Sequence, residues 1–285
     1  MCGAERELGE RGFCGAPAEL RVARAALHPF EEPCISGVRG SGTVFFAGCP
    51  LGCVFCQNRA IHDADAGRAM TVTELGELFL SLQERGAHNI NLVTPTHYAD
   101  RVASALAGVR DRLRIPVVYN CGGYERPETV RVFEGLVDIY LPDFKYVSSE
   151  LAGAYSGAPD YAEFATASLL EMVRQVGAVR FDADGMMTRG VMVRHLVLPG
   201  CRRDSIAVLD RIAETVGVKG VRLSLMRQYT PDFAPADAPK NLKRRLTSFE
   251  YESVAEHALK LGFEGYFQEA SAASADYTPD FSEKL

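Results

Sequence analysis

The sequence predicts an α/β protein, a partial (β/α)6 TIM-like barrel. Three observations carry that expectation: short β-rich apolar runs recur six times, amphipathic helical stretches fall between them, and polar residues suited to chemistry stand just after the runs. The runs lie at 43–47, 89–93, 115–119, 137–141, 190–198 and 221–226, each bounded by Gly, Pro or polar residues. Strands joined by helical crossovers must be parallel, and functional groups in such folds gather at the carboxyl ends of the strands. An open parallel sheet is the alternative arrangement of the same units.

Residues 1–42 lack clean periodicity and are expected to form an irregular N-terminal extension, with a core over 43–285 that ends in a helix and a tail. After the first run, Thr71 and Glu74 have capping-box spacing. Leu75, Leu78, Phe79 and Leu82 make one apolar stripe, and Gly86 ends the helix. Further helical stripes occupy 98–113, 161–176 and 247–261, the last opened by a second capping box at Thr247 and Glu250. The segment from Pro231, PDFAPADAPKN, reads as a surface loop.

The 285 residues are 47% hydrophobic and 24% charged, an ordinary balance for a chain that folds by itself. A net charge of −6 with no basic patch argues against nucleic acid as a partner. The charged N-terminus MCGAERELGERGFCG and the lack of any long apolar stretch argue against a signal peptide or membrane span, so the expected location is the cytoplasm. Eight cysteines are many for such a chain, and clustered thiols there bind metal more often than they pair. Cys2, Cys14, Cys34, Cys121 and Cys201 stand alone; Cys49, Cys53 and Cys56 fall within eight residues.

That crowded stretch, GCPLGCVFCQN, directly follows the first strand. Thiolates at C-x3-C-x2-C spacing on a loop with Gly48 and Gly52 converge on a soft metal centre, and three ligands leave a four-iron cluster one open iron. A structural zinc site completed by His62 is the alternative, although such sites usually use paired C-x2-C hooks.

The spacing, with Phe55 before the last cysteine, resembles the radical S-adenosylmethionine (SAM) signature. The resemblance implies a barrel of the radical SAM type, a [4Fe-4S] cluster on Cys49, Cys53 and Cys56, and SAM chelating the open iron. Reductive cleavage of SAM then yields a 5′-deoxyadenosyl radical that abstracts hydrogen. The later strand ends supply candidate cofactor contacts. Thr94 and Thr96 in TPTHY offer hydroxyls or form a plain turn; that loop departs from the Gly-Gly-Glu common in the superfamily. Asn120 in YNCGGYE precedes Gly122 and Gly123, which let backbone approach a ligand, while Cys121 reads as a packed thiol. Asp143 and Lys145, two apart in LPDFKY, share one side of an extended chain. Arg194, inside the apolar GVMVRHLVLPG, demands a buried anion, either the SAM carboxylate or a protein carboxylate. His195, of opposite parity, reads as a core histidine. Arg227, Gln228 and Tyr229 in SLMRQYTP complete the rim.

The Asp-x-Lys and Arg segments also resemble the glycyl-radical-enzyme activating enzymes, of which pyruvate formate-lyase activating enzyme is the familiar case. There the matching residues line the SAM pocket, which carries Asp143, Lys145 and Arg194 over as SAM contacts. Over its length the chain looks closest to an uncharacterised subfamily related to that enzyme, on RVARAALHPFEEPCISGVRGSGTVFF, FCQN, GAHNINLVTPTHY, DIYLPDFKY and SLMRQYTP. Members often carry further cysteines before the segment matching Cys2 and Cys14, so the resemblance leaves open a gene start upstream and a second metal site at Cys2, Cys14 and Cys34. It implies a flavodoxin or ferredoxin as electron donor and a glycyl radical enzyme or other protein as substrate. A small-molecule substrate, and a non-catalytic zinc or iron-sulfur protein, are the competing readings.

Overall fold

Seven strands run parallel in a single twisted sheet, as expected from a chain that alternates buried apolar runs with amphipathic helices. The computed structural model describes residues 4–269 and residue 281; Cys2 and most of the C-terminal tail lie outside these. In chain order the elements are β1 (Arg21–His28), α1 (Pro33–Ser36), β2 (Ser41–Phe46), β3 (Arg68–Ala69), α2 (Val72–Glu84), β4 (Ile90–Val93), α3 (Ala99–Val109), β5 (Val117–Cys121) and α4 (Pro127–Arg131). They continue with β6 (Ile139–Pro142), α5 (Ser149–Ser156), α6 (Tyr161–Val176), β7 (Arg180–Phe181), β8 (Met187–Leu196), α7 (Arg202–Val216), β9 (Arg222–Met226), α8 (Ser248–Leu261) and β10 (Gly265–Phe267).

The sheet order is β10-β9-β8-β6-β5-β4-β2-β1-β3, with β7 paired to β8. Each of the six predicted runs forms a strand of the parallel part: β2, β4, β5, β6, β8 and β9. Among the described residues the two ends of this order are not bonded to each other, so the barrel they form is partial, with a seam between β10 and the β1–β3 edge.

The N-terminal extension corrects one expectation. It is not wholly irregular: β1 pairs antiparallel with β2 and carries β3 on its other edge. Its sequence, RVARAALH, is rich in Ala and Arg, which lean towards helix, and only Val22 is fully buried, so no strand pattern shows. The helix α7 was likewise not read from the sequence, though Ser205, Val208, Leu209 and Ile212 bury one stripe at helical spacing. Both capping boxes are present, with the Thr71 and Thr247 hydroxyls accepting from the Glu74 and Glu250 amides.

Strand parity divides the core. Val44, Phe46, Leu92, Tyr119, Tyr140, Val193 and Leu225 face the helices. Val118, Ile139, Leu141 and Met192 face inward, where Cys34 and Ile35 of α1 close the barrel floor on them. The Asn89 amide ties that plug down by donating to the Ile35 carbonyl at 2.7 Å. Pro33 at the start of α1 has no amide to lose there, which suits an abrupt entry into the lumen.

Candidate active site

The cysteine loop leaves β2 at Ala47 and is held from two sides. Gly48 has φ +87°, and a Cβ there would lie 2.7 Å from the Cys14 carbonyl oxygen, so glycine is required. Its amide donates to the Ile61 carbonyl. The end of α5 supplies the other hold: the Gly52 amide donates to the Ser156 carbonyl at 3.0 Å and the Val54 amide to the Tyr155 carbonyl at 2.9 Å. The Cys53 Sγ lies 3.0 Å from the Ser156 hydroxyl. Cys49, Cys53 and Cys56 are half-buried free thiols that line one pocket of about 620 Å³.

Burial pushes the Cys49 thiol well up, and the charges of Cys53 and Cys56 push it further. Cys56 is pushed up to about 12 by burial and then by Cys53, with Lys145 pulling the other way. Three thiolates crowded in this way repel each other until a cationic centre neutralises them, so the donor set fits iron. Among the described residues no three His, Cys, Asp or Glu side chains converge tightly enough to hold one metal ion. In a four-iron cluster each thiolate binds a different iron, whereas a structural zinc site gathers its ligands on one ion. His62 lines the same pocket, with its Nε2 buried and unpartnered.

The later strand ends deliver most of the predicted residues to this pocket. Asp143 and Lys145 pair with each other in a close salt bridge on its wall, both largely buried. Burial opposes the Lys145 charge, but Asp143 and then Cys53 outweigh it and raise its pKa. Asn120 and Thr94 also line the wall, and Thr94 holds a left-handed φ of +57°, unusual for a β-branched residue. Thr96 does not join them: its hydroxyl donates to Glu125 at 2.7 Å. Gln228 and Tyr229 reach the pocket rim, whereas the Arg227 guanidinium bonds Ser248. Cys121 is buried at the wall as a packed thiol, and Gly123, at φ +80°, allows the Asp143 carbonyl to approach where a Cβ would stand 2.0 Å away. His195 is a core histidine whose Nδ1 lies 2.7 Å from the Phe144 carbonyl.

Of the two anions open to Arg194, the structure supplies the protein one, twice. Its Nε and Nη2 donate to Glu32 at 2.8 and 2.6 Å, its Nη2 also pairs with Glu31, and its Nη1 reaches Asn120 at 3.4 Å. Both carboxylates arrive from the turn between β1 and the floor plug α1, segments read from the sequence as irregular. Burial opposes the Glu32 charge, and Arg194 overcomes it, holding the carboxyl below its ordinary range.

Glu125 was missed as well. It is buried beneath the pocket wall and accepts from Thr96 at 2.7 Å and Tyr119 at 3.1 Å, with no cation as partner among the described residues. Burial pushes its carboxyl up to about 7, against the hydrogen bonds from Thr96, Tyr119 and Cys121. A raised folded pKa means that the native state holds the proton more tightly. That contribution is whole below the ordinary glutamate value and is lost as pH rises through about 7. Between pH 4 and pH 8, Glu125→Gln should therefore gain about 3 kcal/mol of unfolding free energy relative to wild type, measured by urea titration across that range. Parallel curves for the two proteins would refute it.

The fold is shared with Streptococcus suis SuiB. The structure of SuiB bound to SAM superposes with TM-score 0.51 at 14% identity, covering 77% of this chain and 47% of that one. The structure of SuiB bound to precursor peptide SuiA gives 0.51 at 13% identity, covering 74% and 43%. This chain thus spans less than half the length of SuiB. An uncharacterized protein of Methanocaldococcus jannaschii is 28% identical over 271 residues, 91% of this chain and 72% of that protein. The model of the radical SAM superfamily matches residues 43–200, the stretch from β2 through the cysteine loop to the end of the Arg194 strand segment. The chain belongs to the radical SAM superfamily, whose cofactors are a [4Fe-4S] cluster and SAM.

Proposed function

We propose that this radical SAM protein is an activase-like enzyme in which Cys49, Cys53 and Cys56 hold the cluster and SAM lies against Asp143, Lys145, Asn120 and Thr94. The observation that carries the reading is the meeting of the three thiols and the Asp143–Lys145 pair on the wall of one pocket. When bound, the cluster supplies the electron that cleaves SAM to a 5′-deoxyadenosyl radical. The protein's part is positional. Lys145 presents an ammonium and Asp143 a carboxylate of a size and charge to meet the zwitterionic end of an amino acid, and Leu51, Phe55 and Tyr146 line the same pocket to limit water.

The hydrogen donor in this reading is a glycine of a partner protein. Two things support it: the sequence resemblance over residues 21–232, and the reach of the pocket from the thiols to Phe30 and Tyr266, which border the open seam of the barrel. An extended peptide loop enters by such a seam. A flavodoxin or ferredoxin supplies the electron. The same chemistry on another peptide residue is the second reading, favoured by the fold shared with SuiB, a protein solved with a bound precursor peptide. Among the described residues no helix is long and apolar enough to cross a membrane.

The test is anaerobic incubation of the reconstituted protein with SAM, dithionite and a candidate glycyl radical enzyme. The expected result is 5′-deoxyadenosine together with a glycyl doublet in the electron paramagnetic resonance spectrum. 5′-Deoxyadenosine without the doublet across such partners would move the substrate to the second reading. Neither product would overturn both.

A further inference from the structure

The cysteine loop docks on the C-terminal end of α5. A helix leaves its last carbonyls without intrahelical donors, and here the loop takes up two of them. The amides of Gly52 and Val54, on either side of Cys53, donate to the Ser156 and Tyr155 carbonyls at 3.0 and 2.9 Å. Ser156 is the last residue of the helix, which Gly157 closes at φ +68°. Backbone alone therefore holds Cys53 beside Ser156, whatever their side chains do.

The side chains at this junction form a row of three. The Ser156 hydroxyl lies 3.0 Å from the Cys53 Sγ and 2.9 Å from the Tyr146 hydroxyl. Ser156 and Tyr146 are each 1% exposed, so they satisfy one another rather than bulk water. In the free protein either atom of each pair can donate. With iron bound the direction is fixed. An iron-bound thiolate carries no proton, so the Ser156 hydroxyl must donate to Cys53. Its hydrogen is then committed, and the Tyr146 hydroxyl must donate to the Ser156 oxygen. The carbonyls at the helix end turn negative charge towards the loop, whereas this relay turns a polarised O–H towards the sulfur.

We propose that Ser156, oriented by Tyr146, donates a hydrogen bond to the cluster thiolate of Cys53 and raises the reduction potential of the cluster. The proposal rests on the reading that Cys49, Cys53 and Cys56 hold that cluster. The step affected is the entry of one electron from the external donor; no proton moves and no bond breaks. Added electron density falls partly on the ligating sulfurs, so a hydrogen bond to one of them is stronger in the reduced state and favours it. Ser156 and Tyr146 are positioning residues in this account, since neither touches the reacting atoms.

The experiment is a reductive titration of the reconstituted full chain with dithionite and viologen mediators, with the reduced cluster counted by electron paramagnetic resonance. Ser156→Ala should keep the iron content of wild type and show an about tenfold smaller ratio of reduced to oxidised cluster at a given potential, a midpoint lower by about 59 mV. Tyr146→Phe leaves the Ser156 donor in place but unpolarised and should lower the ratio roughly threefold. The double variant should match Ser156→Ala, because Tyr146 acts only through Ser156. A ratio within 1.5-fold of wild type in Ser156→Ala, or a higher one, would overturn the proposal. So would a Tyr146→Phe effect that persists undiminished beside Ser156→Ala. Should Ser156→Ala bind less iron, Tyr146→Phe decides, and an unchanged ratio there overturns the relay. A wild-type protein that takes up no reducible four-iron cluster would instead overturn the reading beneath the proposal, an outcome distinct from an intact cluster of unchanged potential.

Discussion

Cys56→Ala should lose its iron and form 5′-deoxyadenosine at least ~100-fold more slowly than wild type under dithionite. The three thiols line one pocket on a loop fixed by Gly48 and by the carbonyls of Tyr155 and Ser156, so the two that remain stay in place and leave one cluster ligand missing. Cys121 is the control. It lies on the same wall but is buried at 3% exposure beside Glu125, which keeps its thiol far from ionised. Cys121→Ala should therefore retain the iron content and visible absorbance of wild type. Iron analysis on both variants decides the matter: iron lost from Cys121→Ala and kept by Cys56→Ala would reverse the assignment of ligands.

Arg194→Met should destabilise the fold by about 3–5 kcal/mol, because it strands two buried carboxylates in the barrel lumen. Glu32 loses two hydrogen bonds at 2.8 and 2.6 Å, and Glu31 loses the cation it pairs with. Restoring the balance should restore stability: Arg194→Met combined with Glu32→Gln removes one charge of each sign and should recover a good part of the loss. Urea titration of the single and double variants measures this. A single variant within 1 kcal/mol of wild type would show that the lumen is wet enough to solvate the pair, contrary to its burial.

The two results depend on features of different legibility. The cysteine loop was readable because its ligands are local: three thiols within eight residues, a flanking glycine that needs a left-handed backbone, and an apolar strand just before them. The strand ends carrying Asn120, Asp143 and Arg194 were readable for a related reason. Parity within a strand sets which side chains share a face, and parallel pairing then brings Asp143 and Arg194 into direct register. Thr96 was misplaced because a strand-end hydroxyl has two directions open to it, and only the packing of Glu125 beneath the wall decides between them.

What the sequence determined by itself was the alternation of strands and helices, the six-strand parallel core, and the thiol triad with its place at the end of the first core strand. Each of these follows from periodicity or spacing over a few residues. Tertiary structure decided the partner of Arg194, the pairing of β1 between β2 and β3, and the turn before the floor plug that carries Glu31 and Glu32 into the lumen. The contacts of Arg194 with Glu31 and Glu32 join residues more than 160 positions apart, and the Ala- and Arg-rich strand just before those acids has weak local preference. The physical reason is that a buried ion triad is selected by the total charge and volume of the lumen, which no single segment contains.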